Sequence, residues 1–299
     1  MAKQHISTRH IDTIQAKDQL QALQSMLHAW GAKWFLASMV WILTKQPSDI
    51  PGVEKSRLVP FLFNRMQDAL HPNLAQNNRL LKDRQGGSTT FWLLVRLFLP
   101  CITEGGVNGL LISQNSKYAA KHFQMVRRAY KLFGAQDPRD DSVNGLSKAI
   151  KANLLHTEYS NRHELVFDYL DSRLIVESAE VEESAQGITL HHVVSSETAR
   201  WPKDPEATTS NVKGALVPDG TYDEESTANG LGGYFAEHFL GAIDDPEHAD
   251  AKPHYYSWYF TDEYTDDLTE KQKDELEKDL TSEEFNVIRK MHKELDCIT

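Results

Sequence analysis

A short stretch with two adjacent glycines, KDRQGGSTT at residues 82–90, constrains the fold of this chain more than any other segment. The residues that follow, Thr90 to Leu99, are almost all apolar and predict a buried helix that leaves the loop. A glycine-rich turn that opens a helix presents backbone N–H groups to which phosphates bind. A plain strand-to-helix turn would have the same residues, so the other segments must distinguish the two interpretations.

The stretch matches a phosphate-binding loop only in part. In the pattern G-x-x-x-x-G-K-[ST], a lysine reaches the phosphates and a hydroxyl ligates Mg²⁺. Gly87 and Thr89 occupy the last glycine and the hydroxyl, which makes Thr89 the candidate Mg²⁺ ligand. Ser88 stands in place of the lysine, so Lys82 and Arg84 are the candidate phosphate cations.

Composition sets outer limits on the fold and its partners. A chain of 299 residues that is 40% hydrophobic can bury one large α/β core or two modest ones. Its two cysteines, Cys101 and Cys297, predict neither a disulfide framework nor a metal cluster and favour a reducing compartment. The apolar run Trp34 to Leu43 is about half the length of a membrane span, so we expect a buried helix and no membrane association. The net charge of −11 argues against general adhesion to nucleic acid, although a local basic face would suffice.

Upstream of the loop, the sequence predicts a packing helix and a candidate base-binding residue. Leucine and tryptophan side chains recur at three- and four-residue spacing through residues 13–45, which is typical of a helix. After Val59 to Phe63 comes Gln67, whose amide offers both a donor and an acceptor and could bond the edge of adenine. A surface glutamine is the alternative.

Downstream, short apolar strands alternate with helices. Gly109 to Gln114 predicts a buried parallel strand, and Ser116 is expected to cap a helix over Lys117 to Phe133. One side of that helix is basic and is either solvated or a surface for a DNA backbone. Two short strands are predicted at Leu165 to Phe167 and at Leu174 to Val176.

Two later segments carry polar residues suited to a site. Ile188 to Glu197 predicts a strand that ends in a carboxylate, and STANG at Ser226 to Gly230 supplies hydroxyls and an amide. The alternation over residues 78–240 favours a parallel sheet covered by helices on both faces. Ligands bind such sheets at the carboxyl ends of the strands, where Gly87, Glu197 and Ser226 would converge.

Taken in order, several segments resemble the ATPase domain of the large subunit of tailed-bacteriophage terminases. These segments are PFLFNRMQ, KDRQGGSTT, GLLISQNSKYAAKHF, GITLHHVVSSETARW and STANGLGGYF. The resemblance implies a three-layer α/β P-loop ATPase of the ASCE type with a central, mostly parallel sheet. It also implies a helical N-terminal extension at residues 1–56, an ATPase core at 57–260 and an acidic helical linker or lid at 261–299. The family's C-terminal nuclease domain is not expected in this chain.

The resemblance further implies ATP and Mg²⁺ as cofactors and gives roles to individual residues. Gln67 matches the residue that reads adenine, Arg84 an arginine that stabilises the γ-phosphate, and Glu197 the carboxylate that orients the attacking water. The residues of the nucleotide-binding loop would be Lys82, Arg84, Gln85, Gly86, Gly87, Ser88, Thr89 and Thr90. Those of the motif that couples hydrolysis to domain movement would be Ser226, Thr227 and Asn229.

The resemblance implies Mg²⁺-dependent ATP hydrolysis that pumps double-stranded DNA through the portal protein into a procapsid. It also implies a small terminase subunit as a partner and the host cell cytoplasm as the location. An isolated motor domain would be a monomer, whereas a ring on the portal could complete its sites with an arginine such as Arg200 from a neighbour. One alternative is a helicase-like ATPase that depends on nucleic acid. Another is a nucleotide-binding component of the portal complex that does not hydrolyse ATP.

Two departures from the family pattern fall beside the candidate site. Ser196 stands where many P-loop enzymes have an aspartate associated with Mg²⁺, and the segment before STANG, TYDEE, is far more acidic than the apolar strand expected there. Because Glu197 cannot easily serve both the metal and the water, we assign it to the water. Glu225 is the second candidate for that role.

Overall fold

The computed structural model describes residues 12–46, 55–157, 163–181 and 187–260. The strands in these ranges are β1 Trp41–Gln46, β2 Lys55–Pro60, β3 Asn77–Lys82, β4 Asn108–Ser113, β5 Glu164–Phe167, β6 Ser172–Ser178, β7 Leu190–Ser196, β8 Leu216–Thr227 and β9 Lys252–Tyr256. The α-helices are α1 Thr13–Met39, α2 Arg65–Leu70, α3 Ser88–Trp92, α4 Leu99–Thr103, α5 Ser116–Leu132, α6 Gly145–Ala152, α7 Pro205–Gly214 and α8 Tyr234–Asp244.

Seven of these strands form one sheet in the order β5-β6-β4-β7-β8-β3-β9. Every neighbouring pair is parallel except β5 and β6, which are antiparallel. The predicted mostly parallel sheet is therefore confirmed. Strands β7, β8 and β3 lie side by side, so their carboxyl ends meet at one edge of the sheet.

Apolar side chains of the sheet alternate between two cores. On β4, Leu111 belongs to the larger core, whereas Leu110 and Ile112 belong to the smaller one. The larger core includes apolar side chains of α1, α3, α4 and α5, and the smaller core includes Val212 of α7. Because successive strand residues point to opposite faces, helices cover both sides of the sheet, as the three-layer prediction requires.

The helix predicted after the glycine loop is confirmed, and it is buried along its length. Helix α3 passes into a π-helical segment, Leu93–Phe98, and then into α4. Phe91, Trp92 and Phe98 are fully buried. A π-helical turn inside a helix is rare and often lies near functional sites.

The helix predicted over residues 13–45 is wrong at its C-terminal end. Helix α1 stops at Met39, and Trp41–Gln46 is a strand that pairs antiparallel with β2. Aromatic and β-branched residues fit a paired strand well, and this pairing outweighs the helical spacing of the apolar residues. Gly31 also interrupts the helix with φ 72° and ψ 164°, and Trp34, expected to be buried, is 58% exposed.

One further detail of the helix after β4 is corrected. Its N-cap is Asn115, whose side chain accepts from the backbone N–H of Tyr118, rather than Ser116. Its buried face contains Ala119, Phe123, Val126 and Ala129. Among the described residues, no helix has the length and apolar character to cross a membrane. The acidic lid predicted at 261–299 and the first part of the N-terminal extension, residues 1–11, lie outside the described residues, as do residues 47–54.

Candidate active site

The glycine loop joins β3 to α3 at the carboxyl edge of the sheet. Gly87, the residue before α3, has φ 75°, a left-handed conformation that favours glycine. A Cβ atom there would lie 3.0 Å from Gln67 Nε2 and 3.3 Å from Asn64 Nδ2. The last glycine of the loop is thus required both by its backbone conformation and by close packing.

Two amide side chains at the start of α2 bond to the backbone of the loop. Asn64 Nδ2 donates to the carbonyl of Gly86 at 2.9 Å, and Gln67 Nε2 donates to that of Gly87 at 2.9 Å. The same two residues form a reciprocal capping box, because each side chain also bonds the backbone N–H of the other. Gln67, predicted to read adenine, is 3% exposed and contacts the loop backbone in this structure.

Lys82 and Glu197 form a partly buried ion pair at the centre of the site. Lys82 is the last residue of β3 and Glu197 directly follows β7, and Lys82 Nζ lies 2.7 Å from Glu197 Oε1. Burial alone would lower the pKa of Lys82, but Glu225 and Glu197 raise it above its usual value. Burial alone would raise the pKa of Glu197, but Lys82 and Thr227 lower it. Both groups are therefore charged at neutral pH.

The second oxygen of Glu197 binds Thr227, the second residue of the STANG segment. Glu197 Oε2 accepts from the backbone N–H of Thr227 at 3.2 Å and from its hydroxyl at 2.9 Å. Arg200 Nε donates to the same hydroxyl at 3.1 Å. Glu197 adopts the left-handed conformation, with φ 56° and ψ 44°, which is uncommon for a residue with a side chain and costs about 1–2 kcal/mol.

Further hydrogen bonds fix STANG to the turn that follows Glu197. The Ser226 hydroxyl accepts from the N–H of Ala199 at 3.2 Å, and Asn229 Nδ2 donates to the carbonyl of Ala199 at 2.8 Å. The three predicted coupling residues, Ser226, Thr227 and Asn229, therefore all contact residues 197–199.

The acidic segment before STANG is the end of β8, and its carboxylates are fully buried. Asp223 lies 3.1 Å from Arg96 Nε, and Glu224 lies 2.6 Å from Arg79 Nε on the opposite face of the strand. The strand expected here is thus present, but its end is charged instead of apolar. Cations from other elements pair with two of its acids. Burial nevertheless raises the pKa of Asp223 to about 7, even though Arg96 and Asn78 act in the opposite direction.

The third carboxylate, Glu225, faces the first turn of α3. The Thr89 hydroxyl donates a short hydrogen bond to Glu225 Oε1, and the Ser196 hydroxyl donates to the same oxygen at 3.0 Å. The candidate Mg²⁺ ligand Thr89 thus lies against a buried carboxylate that the sequence assigned only as an alternative base.

The other predicted loop residues are distributed around this centre. Arg84 and Gln85 are exposed. Gln85 has φ 68°. Ser88 is buried at the start of α3, and Thr90 lines a small cavity together with Trp41 and Met125.

No protein-family model matches the chain, and no curated protein matches its sequence. In structure, the chain is similar to the large terminase of bacteriophage HK97, with a TM-score of 0.51 and 15% identity over 72% of this chain and 41% of that one. The chain shares the fold of the matched part of that protein. It is also similar to the large terminase ATPase domain of Thermus phage P74-26, with a TM-score of 0.46 and 20% identity over 74% and 88% of the two chains. A DEAD box protein from Methanococcus jannaschii has a TM-score of 0.35 and 8% identity over 72% and 56%.

The fold implied by the sequence resemblance is therefore confirmed, and the terminase-like core carries residues that the sequence interpretation missed. Asn64 was not assigned a role, although N-x-x-Q before a helix is a capping-box signature. The cations Arg79 and Arg96, which neutralise the acidic strand, lie far from it in sequence. Only the three-dimensional structure pairs them with Glu224 and Asp223.

Proposed function

We propose that this chain is the ATP-hydrolysing core of a terminase-type motor that translocates double-stranded DNA into a procapsid. The observation that carries the proposal is the contact of Glu197 with both Lys82 and Thr227 at the edge of the sheet beside the glycine loop. That arrangement places a cation, a carboxylate and the coupling segment together. Hydrolysis of a phosphoanhydride requires positioning and charge neutralisation more than covalent catalysis.

In the proposed cycle, Lys82 and Glu197 separate when nucleotide binds. Phosphate oxygens would compete for Lys82 Nζ, because the cation can exchange one anionic partner for another. Glu197 Oε1 would then be released to accept a proton from water and hold it in line with the γ-phosphate. Arg84, exposed on the loop, would supply a second cation to the transferred group. Gln67 would then contact adenine as well as the loop.

The same carboxylate links the chemical step to the coupling segment. Glu197 Oε2 holds Thr227 in the structure, so a change in the position of Glu197 would alter the hydrogen bonds of STANG. Ser226 and Asn229 would transmit that change through Ala199. Coupling of this kind needs an element with two alternative arrangements. The Lys82–Glu197 pair would be such an element, joined in one arrangement and separated in the other.

Magnesium fits the oxygen groups near Thr89. The Thr89 hydroxyl and a carboxylate of β8 are hard oxygen donors, and one carboxylate oxygen there has no hydrogen-bond partner among the described residues. Among the described residues, no group of three His, Cys, Asp or Glu side chains could hold a metal by itself. This agrees with a cation that nucleotide phosphates help to bind. When bound, Mg²⁺ would neutralise charge on the β- and γ-phosphates.

A basic groove supports DNA as the translocated partner. Arg127, Arg128 and Lys131 of α5 and Lys151 of α6 line one groove, in a chain whose net charge is −11. Phosphate backbones are bound by such clusters without regard to sequence. Portal protein, a small subunit and a ring of copies in the host cytoplasm are further parts of this proposal.

The decisive experiment measures phosphate release from Mg-ATP by the purified chain, with and without double-stranded DNA. We expect hydrolysis that requires Mg²⁺, that Thr89→Val abolishes and that the control Thr44→Val on β1 retains. Binding of Mg-ATP without phosphate release would support the non-hydrolysing alternative. Strand separation by the chain would support a helicase-like ATPase.

The absence of nuclease activity is a separate expectation. Plasmid DNA incubated with the chain and Mg²⁺ or Mn²⁺ should remain supercoiled on a gel. Nicking that disappears when one Asp or Glu of the chain is substituted would contradict this expectation.

A further inference from the structure

Glu225 has an unusual environment for a fully buried carboxylate. Its Oε1 accepts hydrogen bonds from Thr89 and Ser196, whereas its Oε2 is buried and has no hydrogen-bond partner among the described residues. Leaving a buried acceptor unsatisfied costs about 1–3 kcal/mol, and more when the group is charged. This oxygen is therefore a candidate ligand atom for a bound group.

The adjacent carboxylates of β8 make the contrast clear. Asp223 Oδ2 forms an ion pair with Arg96 Nε at 3.1 Å, although neither atom has a hydrogen-bond partner among the described residues, and Glu224 forms an ion pair with Arg79 at 2.6 Å. Glu225 forms no ion pair with any residue in the described part of the chain, because Lys82, the cation beside it, bonds to Glu197 instead. Of the three acids at the end of β8, only Glu225 combines complete burial and two hydroxyl neighbours with the lack of an ion pair to the described residues.

The strand register relates Glu225 to the departure at Ser196. Ser196 on β7 and Glu225 on β8 are directly opposite each other in the parallel ladder. Residues opposite each other in a sheet point to the same face, and their side chains are in contact at 3.0 Å. A carboxylate absent from the end of β7 is thus replaced by one on the next strand.

We propose that Glu225, together with Thr89, holds the Mg²⁺ of the bound nucleotide, in place of a carboxylate at position 196. The inference rests on the proposed function, since the phosphates complete the metal's surroundings. Mg²⁺ prefers oxygen ligands and is commonly held by one or two carboxylates plus substrate phosphates. Glu197 then needs no metal contact and keeps its role toward water.

The test measures metal binding and not turnover. Free Mn²⁺ is followed by electron paramagnetic resonance while it is titrated into the chain with AMP-PNP, and AMP-PNP binding is measured separately in EDTA. For Glu225→Gln we expect AMP-PNP binding in EDTA to be kept and Mn²⁺ affinity to fall about 10–100-fold. The matched variant Glu197→Gln should keep wild-type Mn²⁺ affinity.

A second variant exchanges the pair. The double variant Ser196→Asp/Glu225→Ser places the carboxylate on β7, and its Mn²⁺ affinity should be within about tenfold of wild type. This measurement also tests the inference if Glu225→Gln does not fold. Wild-type Mn²⁺ affinity in Glu225→Gln, with or without lost turnover, would overturn the inference and leave the proposed function standing. Failure of the wild-type chain to bind AMP-PNP would overturn the proposed function and this inference with it.

Discussion

Replacing Glu197 with glutamine separates nucleotide binding from hydrolysis. The carboxylate accepts from Lys82 at 2.7 Å with one oxygen and from Thr227 at 2.9 and 3.2 Å with the other. Glutamine has one acceptor oxygen, so it can satisfy only one of these two sides. If that oxygen faces Thr227, Lys82 loses its anionic partner and is available to phosphate.

The magnitudes follow from these contacts. The affinity for Mg-ATP should stay within about threefold of wild type or increase, because the competing anion of Lys82 is removed. Turnover should fall about 10²-fold or more, which is the contribution of a positioned general base and corresponds to about 2.7 kcal/mol in the activation free energy. The variant should still fold, since one lost hydrogen bond to a charged group costs roughly 1.5–3 kcal/mol.

Calorimetric binding of Mg-AMP-PNP and single-turnover phosphate release measure the two quantities separately. Glu206→Gln, an exposed carboxylate on α7, is the control for the loss of one negative charge. Glu197→Gln that retains more than a tenth of wild-type turnover would refute the role of Glu197. A variant that loses Mg-AMP-PNP binding would instead refute the exchange of Lys82 between carboxylate and phosphate.

Three further predictions concern the cations and a buried histidine. Arg84→Ala should lower turnover about 10²-fold with little loss of ATP binding, whereas Lys82→Ala should also weaken ATP binding at least about tenfold. Calorimetry measures binding and phosphate release measures turnover. Equal losses of affinity and of turnover in both variants would contradict this division of roles. Arg79→Met should lower the free energy of unfolding, measured in urea, by about 3–5 kcal/mol, because it leaves the buried carboxylate of Glu224 without its guanidinium partner. A decrease below about 1 kcal/mol would show that this ion pair does not stabilise the fold. Burial, and to a smaller extent Lys82, lower the pKa of His122 to about 4. The folded state therefore binds fewer protons than the unfolded state between about pH 6.5 and 4, and stability should fall as the pH is lowered through that window. His122→Gln should reduce this pH dependence of stability in urea titrations, whereas the control His248→Gln at an exposed position should not. Identical pH profiles of stability for the two variants would contradict the role of His122.

The sequence predicted the segments whose structure depends on local pattern. The loop at Gly87, the buried helix after it and the strand that delivers Glu197 all follow from glycine, apolar runs and a terminal carboxylate. The parallel sheet follows from their alternation. The strand Trp41–Gln46 was missed because its apolar residues continue the spacing of α1, and only its pairing with β2 distinguishes strand from helix.

The polar contacts of the site were harder to predict, because they join residues that are distant in the chain. Glu197 and Lys82 were each identified separately, but nothing local indicates that they bond to each other across 115 positions. The end of β8 was not predicted as a buried strand, because buried strands are usually recognised by their hydrophobic residues and this segment is acidic. Its acids are buried because Arg79 and Arg96 neutralise two of them from other elements.

The charged end of β8 also has a consequence for folding fidelity. Asp223 and Glu225 point to one face and Glu224 to the other, so a shift of the strand by one residue would exchange the faces of all three acids. In either direction, one of the two places beside Arg96 and Thr89 would then receive Tyr222 or Ser226 instead of a carboxylate, and Glu224 would lie on the face that holds Asp223 and Glu225 in the native sheet. A purely aliphatic strand would tolerate such a slip far better, because one buried methyl group resembles another. The acids thus make misaligned sheets costly, and they select a single alignment of the strand that carries the coupling segment.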